Sequence, residues 1–256
     1  MEVMFSCPVN GALVADLIEA MVSHVMHMRG QIPVPIQLLH QYSQSMQQTG
    51  KIKSELQRRR IERKIDEFLE RYHEIVAEVR QLAQNHRILE VGILFGPAPR
   101  NPREGYFLHF SSFQSEQEVP ESIRKAACRK CIRKFLEFWS QDLPNSPPVV
   151  STFLSVRLSN ENKISEEFPM NSEFSLRDDF SPQFRRKGLQ PVHLFIQSSN
   201  EQTLTQEEVA QHGVLSRPEM ISHDIIPPQS SLNNSSEHWL VLARGIKGIK
   251  SLKIDS

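Results

Sequence analysis

The chain has 256 residues, 39% of them hydrophobic and 23% charged, enough to bury the core of one large domain or two small ones. Its 30 basic and 30 acidic side chains cancel, which excludes bulk attraction to nucleic acid or to an anionic membrane and leaves electrostatic binding to local patches. Three cysteines without framework spacing, no basic-then-apolar pattern over Met1–Phe5 and no apolar run of spanning length together predict a protein of the nucleus and cytoplasm under reducing conditions.

Leu13, Leu17, Ile18, Met21, Val25 and Met28 recur at helical spacing, with Asp16, Glu19, Ser23 and His27 opposite, so a first helix is expected from about Ala12 to Arg29. Gly30 ends it, and the prolines at 33 and 35 force an extended exit. Residues 41–53 are polar and read as a flexible loop. A second helix follows from about Ser54 to Gln84, with Ile61, Ile65, Phe68, Leu69, Tyr72, Ile75, Val76, Val79 and Leu82 on one stripe. Its length suggests the spine of the domain.

The apolar run from Arg87 to Phe95 has the character of a central strand, and Tyr106–Phe110 pairs back onto it after a proline-rich turn at 97–102. A third helix starts after Pro120, with proline at an N-terminal position. Cys128, Cys131, Ile132, Phe135, Leu136 and Trp139 fall on one arc of it, and Arg129, Lys130, Arg133, Lys134 and Glu137 on the other. Strands are expected over Pro147–Leu158, Phe174–Phe184 and Val192–Ile196. Residues 198–238 are polar and read as a partly disordered insertion in a single domain spanning 1–256. The last apolar run, Trp239 to Ile249, must pair with something already folded, because a lone strand leaves its ladder groups unmatched. The element order predicts an α+β fold, helices packed on one face of an antiparallel sheet.

The chemical signals favour binding over catalysis. Cys128 and Cys131 have redox or half-zinc spacing, but no second pair accompanies them and both fall on the apolar arc, where cysteine acts as a small hydrophobe. The ten histidines are scattered, and His24 and His27 suit a half-buried or interface role. The stretch Gly92–Gly96 lacks the lysine and hydroxyl ending of a phosphate loop, and no catalytic triad has motif support. No metal or cofactor is implied. Arg58, Arg59, Arg60, Arg63 and Lys64 form either an import or nucleic-acid patch or a solvated helix face. Arg129, Lys130, Arg133 and Lys134 present four cations with only Glu137 to offset them, which suits either a partner with acidic groups or a plain solvated face.

Three separated groups of residues carry a resemblance. They are Phe5, Pro8 and Val9 with His24–Met26, Arg29, Gln31 and Ile32–Pro35; then Ala126–Cys128 leading through a basic helix to Pro147 and Pro148; then Trp239 followed at fixed spacing by Ile246, Lys247, Gly248 and Ile249. As an ordered set they resemble comet, the family of Mad-two-binding proteins that antagonise the spindle-assembly checkpoint. The resemblance implies a HORMA-like fold of three helices on an antiparallel sheet, closed by a C-terminal segment in the manner of a safety belt: Trp239, Ile246, Lys247, Gly248 and Ile249. It implies a non-enzymatic adaptor that recognises closed-conformer Mad-two and presents it to a hexameric AAA+ ATPase, so promoting disassembly of the checkpoint complex in the nucleus, in the cytoplasm and at the kinetochore or spindle. The family's pairing surface carries over to Met28, Arg129, Lys130, Ile132 and Arg133. Met28 and Arg133 stand where the family has a glutamine and an aromatic, which implies a more electrostatic contact. Two rival readings are a different HORMA protein that captures a peptide under its tail, and a small cytosolic α+β enzyme with convergent titratable groups in a deep pocket.

Overall fold

The computed structural model describes residues 1–48, 54–99, 101–111, 117–142, 148–159, 191–198, 238–241 and 245–249. A first strand, β1 (Glu2–Phe5), precedes helix α1 (Gly11–Met28). Asn10 caps that helix, its Oδ1 accepting from the Leu13 amide at 2.8 Å. At the other end Gly30 has φ +63°, its amide donates to the His27 carbonyl at 3.0 Å, and the Gln31 amide donates to Met26 at 2.9 Å. This paired closure needs a left-handed residue, which glycine supplies without a Cβ clash. The chain then crosses a short 3-10 turn, Ile36–Leu38, into α2 (Leu39–Gln48) and α3 (Glu55–Asn85), the latter capped by Ser54.

Strands β2 (Ile88–Gly96) and β3 (Glu104–Phe110), helix α4 (Glu121–Asp142), and strands β4 (Ser151–Leu158), β5 (Val192–Ser198), β6 (His238–Val241) and β7 (Ile246–Lys247) follow. The sheet order is β1-β5-β3-β2-β4-β6, with β7 also paired to β4. Its centre is antiparallel, β2 lying between β3 and β4. At one side it departs from the antiparallel expectation, because β5 joins β3 in parallel and β1 joins β5 in parallel. A parallel neighbour needs a long connection rather than a tight turn, and both pairings have one: α1 through α4 intervene between β1 and β5.

The α+β class holds, with two corrections. The first is α2: most of residues 41–53 read as loop, yet 41–48 are helical. Leu39, fully buried, and Tyr42, packed against the core, sit one turn apart and give a polar helix its short apolar edge. The helix read as third is therefore the fourth. The second concerns the spine. The long α3 buries one stripe, whereas α1 buries Leu13, Val14, Leu17, Ile18, Met21, Val22, Val25 and Met26 on a broad face and leaves no residue of the helix fully exposed. It lies between α3, α4 and the sheet, so it is the core helix. The expected strand over Phe174–Phe184 and nearly all of the 198–238 insertion lie outside the described residues, and Ser198 and His238 themselves belong to β5 and β6.

Val91, Ile93, Phe95, Tyr106, Leu108, Leu154, Val156, Leu194 and Ile196 face the helices as one core. The opposite sheet face carries a charged and aromatic ladder. Arg157 pairs with Glu90 at 2.9 Å, Glu90 lies 3.6 Å from His109 Nδ1, and His109 Nε2 and His193 Nδ1 share a hydrogen bond at 2.8 Å. His109 also stacks on Phe195 at 4.5 Å between ring centroids. Burial, then the neighbouring His193 and Arg157, push the His109 imidazole down to about 4. The folded chain thus refuses a proton that the unfolded chain accepts near pH 6.5, and stability present above that pH is lost as pH falls towards 4. The thermal midpoint of the wild type should therefore drop more steeply between these values than that of His109→Phe, which keeps the stacking without the titration.

The C-terminal run is paired, as expected. Trp239 stands opposite Arg157 in register and Ile246 opposite Thr152, both against β4, and Ile246 and Ile249 are buried in the core. Truncation before Trp239 should lower unfolding free energy by at least about 3 kcal/mol, since each buried isoleucine contributes about 1.5–3 kcal/mol and β4 loses a ladder partner; urea denaturation measures it.

Candidate functional interface

Helices α1 and α4 lie side by side and run in the same direction. Arg124 Nε meets Asp16 Oδ2 at 2.7 Å near their starts, and His24 meets Phe135 edge to face at 6.2 Å further along. Between them and α3 opens a surface groove of about 620 Å³. Its acids are all engaged: Arg80 bonds Asp16 at 2.9 Å and Glu19 at 2.5 Å, and Lys125 bonds Glu121 at 2.6 Å. Burial, then the neighbouring His27, lowers the pKa of His24, so this rim imidazole favours its neutral form. The groove's carboxylates are thus held by basic side chains, while the ring nitrogens His24 Nε2 and His27 Nδ1 have no hydrogen-bond partner among the described residues.

The two thiols of α4 behave as the arc implied. Burial raises Cys128 to about 11 and Cys131 to about 12, so both stay protonated at neutral pH. Arg58 and Arg59 pair with Glu55 at 2.6 and 3.1 Å, and Arg63 with Glu67 at 3.5 Å, the pattern of a solvated helix face. Gly92 and Gly96 lie within β2.

The structure sorts the cationic face of α4. Arg129, Lys130, Arg133 and Lys134 are all exposed, but Lys130 donates to the Met4 carbonyl on β1 at 2.5 Å and Lys134 pairs with Glu137 at 3.1 Å. Among the described residues Arg129 and Arg133 have no such partner, and, four apart, they share the outer ridge of the helix. The core contact of α4 is the narrow line Ala127, Cys131 and Phe135. Leu136, assigned to the buried arc, lies one residue past that line and is 38% exposed, while Ile132 is half-buried at the groove. The outer surface therefore carries two uncommitted arginines beside two apolar side chains. Met28 is half-buried at the end of α1, one turn past His24 and beyond the groove. Ile132 and Arg129 line the groove, Arg133 and Lys130 do not.

Sequence reasoning passed over the polar network behind this surface. Arg29, 2% exposed, grips Glu104 through both carboxylate oxygens at 2.6 and 2.7 Å, and Tyr106 donates its hydroxyl to the same carboxylate. The signal was available: an arginine directly before a helix-ending glycine, facing an apolar sheet, must find a buried acid. Arg29→Met should cost about 3–5 kcal/mol by leaving the Glu104 charge buried and unpaired. The double variant Arg29→Met, Glu104→Leu should recover much of that loss, a coupling that denaturant midpoints of the full mutant cycle will read.

Residues 1–161 match the model of a protein family described as p31comet: Mad1 and Cdc20-bound-Mad2 binding. No match was found among curated proteins. The matched stretch runs from β1 past the end of β4, so it contains α1, α4 and the whole outer ridge.

Proposed function

The chain belongs to the p31comet family, whose description is the binding of Mad1 and Cdc20-bound Mad2, and on that premise we propose that it is a non-enzymatic adaptor of the spindle-assembly checkpoint. It recognises the closed conformer of Mad2 through the outer face of α4 and the end of α1. The observation that carries this reading is the pair Arg129 and Arg133, exposed and uncommitted beside Ile132 and Leu136 on the one helix whose other cations are engaged. A helix ridge of this kind docks against another helix, burying its apolar side chains and matching its arginines with carboxylates. Met28 extends the contact along α1. Lys130 contributes through the position of β1 rather than as a free charge.

The adaptor then presents Mad2 to a hexameric AAA+ ATPase, which opens it and so silences the checkpoint; the resemblance of the three residue groups supports this step. It acts in the nucleus and cytoplasm, and at kinetochore or spindle in dividing cells. Trp239, Ile246, Lys247, Gly248 and Ile249 act as a belt that closes on its own domain. The pairing of β6 and β7 with β4 supports that arrangement over peptide capture, because the strand edge a captured peptide would use is taken by the same chain.

Purified chain should bind closed Mad2 and leave open Mad2 unbound; equal binding to both, or to neither, refutes the reading. Arg133→Glu and Arg129→Glu should each weaken closed-Mad2 binding at least tenfold, about 1.4 kcal/mol, with unchanged thermal midpoints. Added salt should weaken the wild type more than either variant, since the screened term is the one the substitution removes.

A further inference from the structure

The three sequence groups that carry the family resemblance converge on one residue, through its side chain and its main-chain carbonyl. Gln31, fully buried, leaves the end of α1 with both faces of its amide in use. Its Oε1 accepts from the Val150 amide at 2.8 Å, and its Nε2 donates to the Arg29 carbonyl at 3.1 Å and the Pro148 carbonyl at 3.4 Å. Its own backbone carbonyl accepts from the Ile249 amide at 2.7 Å, and the Gly248 amide donates to Val150 at 3.1 Å. Gly248 passes so close that a Cβ there would lie 2.7 Å from the Gln31 carbonyl oxygen and 2.8 Å from Val149 Cγ1. The α1 exit, the approach to β4 and the C-terminal segment are thus tied at a single residue 217 or more positions from the segment it holds.

We propose that Gln31 is the latch on which the C-terminal segment closes, and that closure sets the partner surface at the end of α1. The latch needs an amide. A glutamine side chain both accepts and donates, whereas a carboxylate has no proton to give the Arg29 and Pro148 carbonyls. Coupling follows from the backbone. The Gln31 amide closes α1 on the Met26 carbonyl while its carbonyl holds Ile249, so Met28 sits inside a loop whose far end is the tail. Arg29, next to it, is anchored to Glu104 and cannot absorb a shift. Releasing the tail therefore loosens the helix end that carries Met28, His27 and the groove rim. The assignment of a partner to that surface rests on the function proposed above; the latch itself does not.

The test uses the full chain with Gln31→Glu, which keeps size and one acceptor but removes the donor, and Gly248→Ala, which drives a Cβ against the Gln31 carbonyl and Val149 while leaving the Gln31 side chain its donor and acceptor. Ile196→Val, a core position of β5 towards the other edge of the sheet, is a control for general destabilisation. Amide hydrogen exchange at Ile246–Ile249 and Val150 should speed up about tenfold or more in both latch variants while β2 and β3 keep their protection, and the control should show no such selectivity. Closed-Mad2 affinity should fall about tenfold in the latch variants and stay unchanged in the control. Tail exchange that rises only in step with the whole sheet overturns the latch. A tail that opens selectively with Mad2 affinity unchanged overturns the coupling. If the wild type ignores closed Mad2, the proposed function fails, and exchange alone still decides the latch.

Discussion

A buried arginine at the end of a helix governs this molecule. Arg29 is the last turn of α1, and its guanidinium lies almost wholly out of water against Glu104 at the start of β3. A charge in that position is tolerable only if a carboxylate meets it with good geometry and the leftover lone pairs are filled. Here Nη2 donates to one carboxylate oxygen at 2.7 Å, Nε stands 2.6 Å from the other, and Tyr106 fills the remaining demand, its own ionisation pushed up by burial and then by the neighbouring carboxylate. The pair therefore dictates where α1 ends relative to the sheet. Gly30 turns the chain at once, and Gln31 lands where β4 and the C-terminal strands can bond to it.

With that end anchored, the rest of the helical layer has little freedom. Helix α1 packs a broad apolar face into the core, and the acids of its other side, Asp16 and Glu19, are held by Arg80 and Arg124. Those two arginines, from α3 and α4, meet at Asp16 and so align three helices at one charged point. The outcome is a groove whose carboxylates are all paired, with Arg129 at its rim and Arg133 beyond it lacking such a partner among the described residues. On α4, Arg129 and Arg133 are the cations left without an internal partner among the described residues, and the proposed contact draws on them.

The HORMA-like α+β arrangement of the p31comet family accommodates these features. The paired tail on β4 shows why a strand distant in sequence belongs to the domain: it buries Ile246 and Ile249 and covers an edge that would otherwise invite another chain. The same logic applies to β1 at the opposite edge, whose Met4 carbonyl is covered by Lys130. That lysine, read from sequence as a free cation, is an edge guard.

The periodicities of α1, α3 and α4 and the apolar runs of β2 to β5 were legible because each rests on neighbours within a few residues. The cationic arc of α4 was legible for the same reason, and so was the need of the last strand for a partner. What the linear pattern could not contain is which of those cations would find an internal acceptor, since Met4 lies 126 residues from Lys130. Nor could it show α2, whose two apolar anchors acquire meaning only against α3 and the core, or the parallel joining of β1 and β5, which depends on long connections. Leu136 was misplaced because helical spacing gives a direction and not the width of the contact that α4 makes. The sequence by itself determined the three long helices, the central strands and the resemblance to the family, but neither β1 nor α2. Only tertiary structure decided that Arg29, Gln31, Glu104, Val150 and Ile249 meet, because buried polar groups choose partners by proximity in space, and that proximity exists only once the helix layer has closed on the sheet.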